Sequence, residues 1–248
     1  MWWWAAPAFA TWTVAGIDPE TGEVGVAGAT CGPFVWMVAE LVPGEGAVAA
    51  QYATWVKGKG LLADALAAGD TPEEALAGVA TAKVDDKVAL RQYGVVGFAG
   101  PAAGFTGDEV EGAHAWLGDD VVSVQGNTLR GEDVVEDAFA AFHDTAGGLD
   151  ERLLAALEAG RDAGGDARCP VDEPEKSAFL FTATEDGDET KIRASTSLRS
   201  MDPIDRVRAE WEGSAGCDAT AGPATGGLLA PLLGLLAARR RRARPHAG

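Results

Sequence analysis

One short stretch, Ala8–Ala15, combines a cleavage signal with a residue that could do chemistry. Ala8 and Ala10 flank Phe9 as the small residues that a signal peptidase needs at −3 and −1, which predicts a cut between Ala10 and Thr11. The new N-terminus would be a threonine opening the apolar run Thr11-Trp12-Thr13-Val14-Ala15. Its hydroxyl is a nucleophile and its own α-amine, with a pKa near neutrality, is a base on the same residue. An amide carbonyl attacked by that hydroxyl becomes an oxyanion that needs fixed N–H donors. The side-chain amide of Asn127, expected on a Gly-rich strand-to-helix turn with a backbone N–H near Gly126, is the candidate donor or else a plain turn former. Thr30 is expected beside Thr11, orienting the amine.

Further candidates surround this one. Asp166 and Arg168 follow Gly164-Gly165 at the end of an expected helix and either hold a polar end of a substrate or form an ion pair that clamps their loop. Gln51 either meets substrate or satisfies backbone groups between sheets. No lysine falls at an expected strand end, since Lys57 and Lys59 lie in an expected loop. There is no P-loop, dinucleotide fingerprint or HExxH, and His114, His143 and His246 are scattered, so neither a cofactor nor a metal is expected.

Strands and helices must position these groups. Thr11–Ile17 and Glu23–Thr30 read as strands around the turn residues Asp18-Pro19-Glu20-Thr21-Gly22. Val35–Val42 and Ala47–Ala53 read as a second hairpin around Pro43–Gly46. Helices are expected over Gly60–Ala68 and from the capping box Thr71-Pro72-Glu73-Glu74. Arg91–Phe98, Ala102–Thr106 and Val121–Val124 read as strands. Helical periodicity resumes from Gly131, with Val134, Val135, Ala138, Phe139 and Phe142 on one face, and again over Leu149–Ala163. Ser177–Ala183 and Lys191–Ser197 return to strand. Because strands and helices come in runs, stacked sheets between helix layers fit better than a doubly wound fold.

Composition limits the function. The formal net charge is −18, and the stretch after Cys217 holds five arginines against one aspartate, so the remainder is more acidic still. Nothing there would neutralise phosphates, which argues against a nucleic-acid partner. An apolar content of 47% supports a true core. Of the three cysteines, Cys31 and Cys169 either form a disulfide or stay as two unpaired buried thiols, and Cys217 is assigned to the tail. A bridge closing so long a loop would be worth roughly 4–5 kcal/mol on the chain-entropy model.

The tail is distinct. A linker over residues 201–217 ends in Gly216-Cys217, an uncharged stretch runs from Ala219 to Ala238, and Arg239–Arg242 and Arg244 follow. The arginines mark a cytoplasmic stop for a membrane segment at 219–238. The arrangement resembles the myxobacterial C-terminal sorting signal, which implies sorting machinery as a partner, processing near Cys217 and display on the cell surface. A plain C-terminal membrane anchor is the other reading. Residues 1–10 are expected as the truncated end of a signal peptide, because Trp2-Trp3-Trp4 lacks a basic region before it.

An ordered set of segments then resembles one family. These are Thr11–Ala15 followed by Asp18–Ala27, Gly46-Ala47-Val48-Ala49-Ala50-Gln51, Arg91-Gln92-Tyr93-Gly94-Val95-Val96, Val124-Gln125-Gly126-Asn127, and Leu153–Leu157 leading to Ala163–Arg168 and Ser177-Ala178. Together they are similar to domain-of-unknown-function family 1028, grouped with the N-terminal-nucleophile hydrolases, over roughly Thr11 to Ala183. The resemblance implies a four-layer αββα sandwich (α+β class) over residues 11–200 and an amide hydrolase acting on a small amide or peptide-like substrate. A non-catalytic binding domain on the same scaffold is the alternative. Cys169 stands where the family usually has glycine, Pro170–Glu175 reads as an insertion, and Thr128 replaces a usual methionine.

Overall fold

The protein is seen in a computed structural model that describes residues 11–196 and 201–218. It is a mixed α+β fold with two antiparallel sheets and, among the described residues, five α-helices. Strands β1 (Thr11–Asp18) and β2 (Glu23–Thr30) form the first hairpin. Its turn closes through Gly22 N–H donating to the Asp18 carbonyl at 2.8 Å, with Gly22 at φ 74°. Then come β3 (Ala39–Val42), β4 (Gly46–Tyr52), α1 (Val56–Ala67) and α2 (Pro72–Val79). Strands β5 (Arg91–Gly97), β6 (Gly100–Thr106), β7 (Ala113–Gly118) and β8 (Val122–Leu129) follow. Helices α3 (Asp133–Asp144) and α4 (Leu149–Asp162), strands β9 (Ser177–Ala183) and β10 (Glu189–Ser195), and α5 (Pro203–Asp218) complete the order.

The larger sheet runs β10-β9-β2-β1-β8-β7 and the smaller β3-β4-β5-β6. Strand periodicity of two assigns the faces. Trp12 and Val14 of β1 point away from the smaller sheet, into a cluster with Val134 and Phe142 of α3 and Leu153 and Leu157 of α4. Ala15 and Ile17 point the other way and meet Ala47, Ala49 and Val96 of the smaller sheet. On that sheet's far side, Val48 and Val95 pack on Leu62 and Leu66 of α1 and Leu76 of α2. Strands buried on both faces need small or apolar residues at every position, which explains sequences such as Val24-Gly25-Val26-Ala27.

The capping box at Thr71 forms as the sequence requires, with Glu74 N–H donating to Thr71 Oγ1 at 3.2 Å and Thr71 N–H donating to Glu74 Oε2 at 3.0 Å. Four expectations change. Val35–Val38 is a 3-10 turn, not strand, because Val35 and Val38 are both buried at a spacing of three, and only Ala39–Val42 pairs with β4. Helix α1 begins at Val56, so Lys57 and Lys59 lie on a helix, Gly58 being packed tightly beneath the Trp55 ring. Strand β7 was not expected, and β8 extends to Leu129, carrying Asn127 within a ladder instead of a turn. The expected linker holds α5, whose Ile204 and Val207 are fully buried against the larger sheet's outer cluster. Residues 1–10 and 219–248, and the side chain of Cys217, lie outside the described residues. Among the described residues no helix is long and apolar enough to cross a membrane.

Candidate functional site

Antiparallel register lines up a row of polar residues at one end of the larger sheet. Thr11 pairs with Asn127 on β8, and the Trp12–Ala29 pair places Thr11 beside Thr30 on β2. Thr30 pairs with Ser177 on β9, which pairs with Ser195 on β10. These residues share the parity of Ala15, Val26 and Phe179, so the row faces the seam between the sheets. Thr11 is 1% exposed in the full chain. Among the expected residues, Thr11, Thr30 and Asn127 are therefore brought together.

Behind the row lies a buried hydrogen-bond network that crosses the seam. Gln51 of β4 donates through Nε2 to the Thr11 carbonyl at 3.1 Å and to Gln92 Oε1 at 2.8 Å, while its Oε1 accepts from Thr13 Oγ1 at 2.9 Å. Gln92 of β5 donates through Nε2 to the Gly126 carbonyl at 2.8 Å and to Thr106 Oγ1 at 3.1 Å. Both glutamine orientations are fixed, because a backbone carbonyl can only accept. The atom that Asn127 turns to Gln92 Oε1 at 3.0 Å must then be its Nδ2 donor. What remains is Asn127 Oδ1, buried and, among the described residues, without a partner. Asn127 thus presents a carbonyl oxygen, suited to accept from an amine, and not the free donor that an oxyanion would need. Gln51 does satisfy backbone between the sheets, and it touches the Thr11 carbonyl as well.

A second cluster closes the row from above. After α4, Gly164 (φ 118°) and Gly165 (φ 59°) turn the chain back onto the end of β8, where Arg130 N–H donates to the Gly165 carbonyl and Ala167 N–H to the Thr128 carbonyl. Asp166, with no exposed surface, accepts through Oδ2 from Cys31 N–H at 2.6 Å, Thr30 Oγ1 at 3.3 Å and Arg168 Nη2 at 2.6 Å. Its Oδ1 accepts from the Arg168 N–H at 2.9 Å and Nε at 3.1 Å. Arg168 also donates to Thr30 Oγ1 at 3.0 Å. Asp166 and Arg168 therefore form the loop-clamping ion pair, and through Thr30 the clamp reaches the row. Cys31 and Cys169 are joined in a disulfide with Cα atoms 5.5 Å apart, tying the end of β2 to the same loop.

Sequence reading missed Thr13, Gln92 and Ser177. Their signal was a polar side chain at a position whose alternate neighbours are small or apolar, as in Gln92-Tyr93-Gly94. Gly94 has a reason of its own: a Cβ there would lie 2.5 Å from Gln125 Oε1. Ser177 Oγ accepts from Val35 N–H at 3.2 Å and donates to the Gly32 carbonyl at 2.7 Å, holding the loop after Thr30. Lys59 is committed elsewhere, its Nζ donating to the Met37 and Ala39 carbonyls at 3.0 and 2.8 Å and pairing with Glu40 at 2.9 Å. Among the described residues no three His, Cys, Asp or Glu side chains converge as metal ligands would.

Comparison with known proteins adds the following. The sequence model of a family of unknown function, DUF1028, matches residues 11–207. A crystal structure of a Silicibacter pomeroyi protein, titled with the same family, superposes with a TM-score of 0.73 at 25% identity, covering 83% of this chain and 89% of that one. No curated protein matches in sequence.

Proposed function

The chain belongs to DUF1028, a family described as of unknown function, and from the site itself we propose an exported, surface-anchored amide hydrolase with an N-terminal threonine nucleophile. In this reading the layered arrangement is the four-layer αββα sandwich of N-terminal-nucleophile hydrolases. Removal of residues 1–10 exposes the Thr11 amine in the middle of the six-stranded sheet. The observation that carries the proposal is the placement of Thr11 between Thr30 and Asn127 on the face that looks into the seam.

The chemistry follows from that placement. The neutral Thr11 amine takes the proton from Oγ1, and Oγ1 adds to the carbonyl carbon of a small amide or peptide-like substrate. Asn127 Oδ1 accepts a hydrogen bond from the resulting ammonium and holds it beside the reacting centre. Arg168, tied to Thr30, supplies the positive charge that the oxyanion requires. The intermediate collapses as the ammonium returns its proton to the departing amine, leaving an ester on Thr11. Water, deprotonated by the same amine, then releases the acid and regenerates the threonine.

A second reading is favoured by one observation: the Thr11 carbonyl is bound by Gln51 within the buried seam network. A hydrolase-like binding domain without turnover would look the same. Intact mass and N-terminal sequencing of the exported protein, followed by reaction with a β-lactone, separate the two. The hydrolase predicts a chain beginning at Thr11 and one covalent adduct on it, lost in Thr11→Ala. A mature chain that begins elsewhere, or one that begins at Thr11 and takes no adduct, defeats the catalytic reading. For the surface anchor, the C-terminal sorting machinery would process the tail near Cys217 after residues 219–238 enter the membrane. Cys217→Ala should then shift the protein from the cell-surface fraction to the medium or to the unprocessed form.

A further inference from the structure

A cleft of ≈ 460 Å³ lies beside the Asp166 loop, lined in part by Gly164 and Cys169. Its wall includes the segment Cys169–Glu175, which the disulfide fastens, together with Arg130, Arg161, Asp162 and Asp202. Two arginines face five carboxylates in this lining. Arg161 pairs with Asp162 at 3.0 Å, Asp205 at 2.7 Å and Asp202 at 3.5 Å, and Arg130 donates to the Cys169 carbonyl. The carboxylates in excess are Glu175 and, on the rim, the exposed Asp172 and Glu173.

Glu175 differs from the rim acids. It is only 5% exposed yet it lines the cleft, and its carboxylate is pressed against the loop: a Cβ on Gly165 would lie 2.3 Å from Glu175 Oε1. Among the described residues no other side chain or backbone N–H donates to its carboxylate. A buried acceptor left in this state in a cleft with surplus negative charge is poised for an incoming donor that carries positive charge. The described residues offer no set of three ligating side chains there, so an organic cation fits and a coordinated metal ion does not.

We propose that this cleft binds a primary ammonium group, with the Glu175 carboxylate as its principal acceptor. The site is independent of Thr11 chemistry. Burial, with the nearby Asp202 and Asp166 carboxylates adding to it against Arg161, raises the Glu175 pKa to about 7. Ligand binding therefore draws a proton off Glu175 and strengthens with pH across neutrality.

The test is calorimetric titration of the full chain with n-propylammonium chloride against matched sodium chloride. Saturable one-to-one binding is expected at pH 8, weaker by about tenfold at pH 6 as Glu175 takes up its proton. Glu175→Gln should weaken binding at pH 8 by tenfold or more, whereas Asp172→Asn should change it less than twofold. Thr11→Ala should bind as the parent does, which separates failure here from failure of the hydrolase reading. No saturable heat beyond sodium chloride, no change with pH, or equal losses in Glu175→Gln and Asp172→Asn would each overturn the proposal. Because the pH comparison uses the unaltered protein, it decides the matter even where a variant misfolds.

Discussion

Two aspartate–arginine clamps built on buried aspartates, one at the end of each sheet, share their chemistry and differ in what they hold. In the larger sheet, Asp166 and Arg168 bind each other, the Cys31 N–H and the hydroxyl of Thr30, which stands beside Thr11. In the smaller sheet, Arg91 donates to Asp85 at 2.6 and 3.3 Å and to the Ala53 carbonyl, and its guanidinium lies 5.7 Å over the Trp55 ring. The second clamp touches only its own loops. Arg91 is 7% exposed, whereas the Arg168 side chain is 32% exposed. One clamp locks a turn, and the other locks a turn while presenting a cation to the row of hydroxyls. An ion pair thus acquires a functional candidate's role from what lies next to it in the register, not from its own geometry.

Breaking the covalent support of the first clamp should have the largest effect. The paired change Cys31→Ser and Cys169→Ser should lower unfolding free energy by about 4–5 kcal/mol, read by urea denaturation. It should also slow β-lactone labelling at Thr11, since the disulfide holds the Asp166 loop to the end of β2. Arg91→Ala comes next, at about 3–5 kcal/mol, because Asp85 would be left charged and buried. Labelling at Thr11 should be unchanged in that variant. Burial raises the Asp85 pKa, but the hydrogen bond and charge of Arg91 with the Lys87 N–H outweigh it, so the folded value is lowered. That stabilisation is present above the unfolded pKa and is lost as pH falls through the folded one; in Arg91→Ala the acid-side loss should vanish.

Glu175 borders only the first clamp and sharpens the contrast at neutral pH. Its folded pKa of about 7 exceeds the ordinary glutamate value of 4.5, so the folded state binds more protons between the two. The associated stability is full below 4.5 and is lost as pH rises to about 7. Glu175→Gln should therefore be more stable than the parent at pH 8 by ~3 kcal/mol in urea titrations, and equal to it near pH 4. Arg168→Ala should have the smallest effect on folding, about 1–3 kcal/mol, since Asp166 keeps the Cys31 N–H and the backbone N–H of residue 168 as donors. Labelling at Thr11 should fall at least tenfold in it. If Arg91→Ala and Arg168→Ala affected labelling equally, the contrast between the clamps would be lost.

The first clamp was legible because its signals are local: two glycines after a helix, then Asp166 and Arg168 two residues apart. The second was not, since Asp85 and Arg91 are separated by an irregular segment whose sequence has no periodicity. Thr11 and Thr30 were read correctly as strand ends that could meet. Asn127 was read correctly as a neighbour and incorrectly as a turn, because Gln125-Gly126-Asn127 has turn-forming residues that the ladders with β1 and β7 hold extended. The helix at 203–218 has its buried Ile204 and Val207 at helical spacing, a short signal obscured by the polar residues around them.

By itself the sequence determined the strands of the first hairpin, the capped start of α2, the two long helices and the acidic character of the chain. Those follow from periods of two and 3.6 residues, turn chemistry and composition, all interactions among near neighbours along the backbone. Only the tertiary structure decided that Thr11 faces Asn127, that Gln92 takes the asparagine's donor and leaves its oxygen open, and that Glu175 is buried beside the Gly165 turn. Each of these joins residues from distant parts of the chain, and their meeting is set by sheet register and loop closure, where a shift of one residue would turn every side chain to the opposite face.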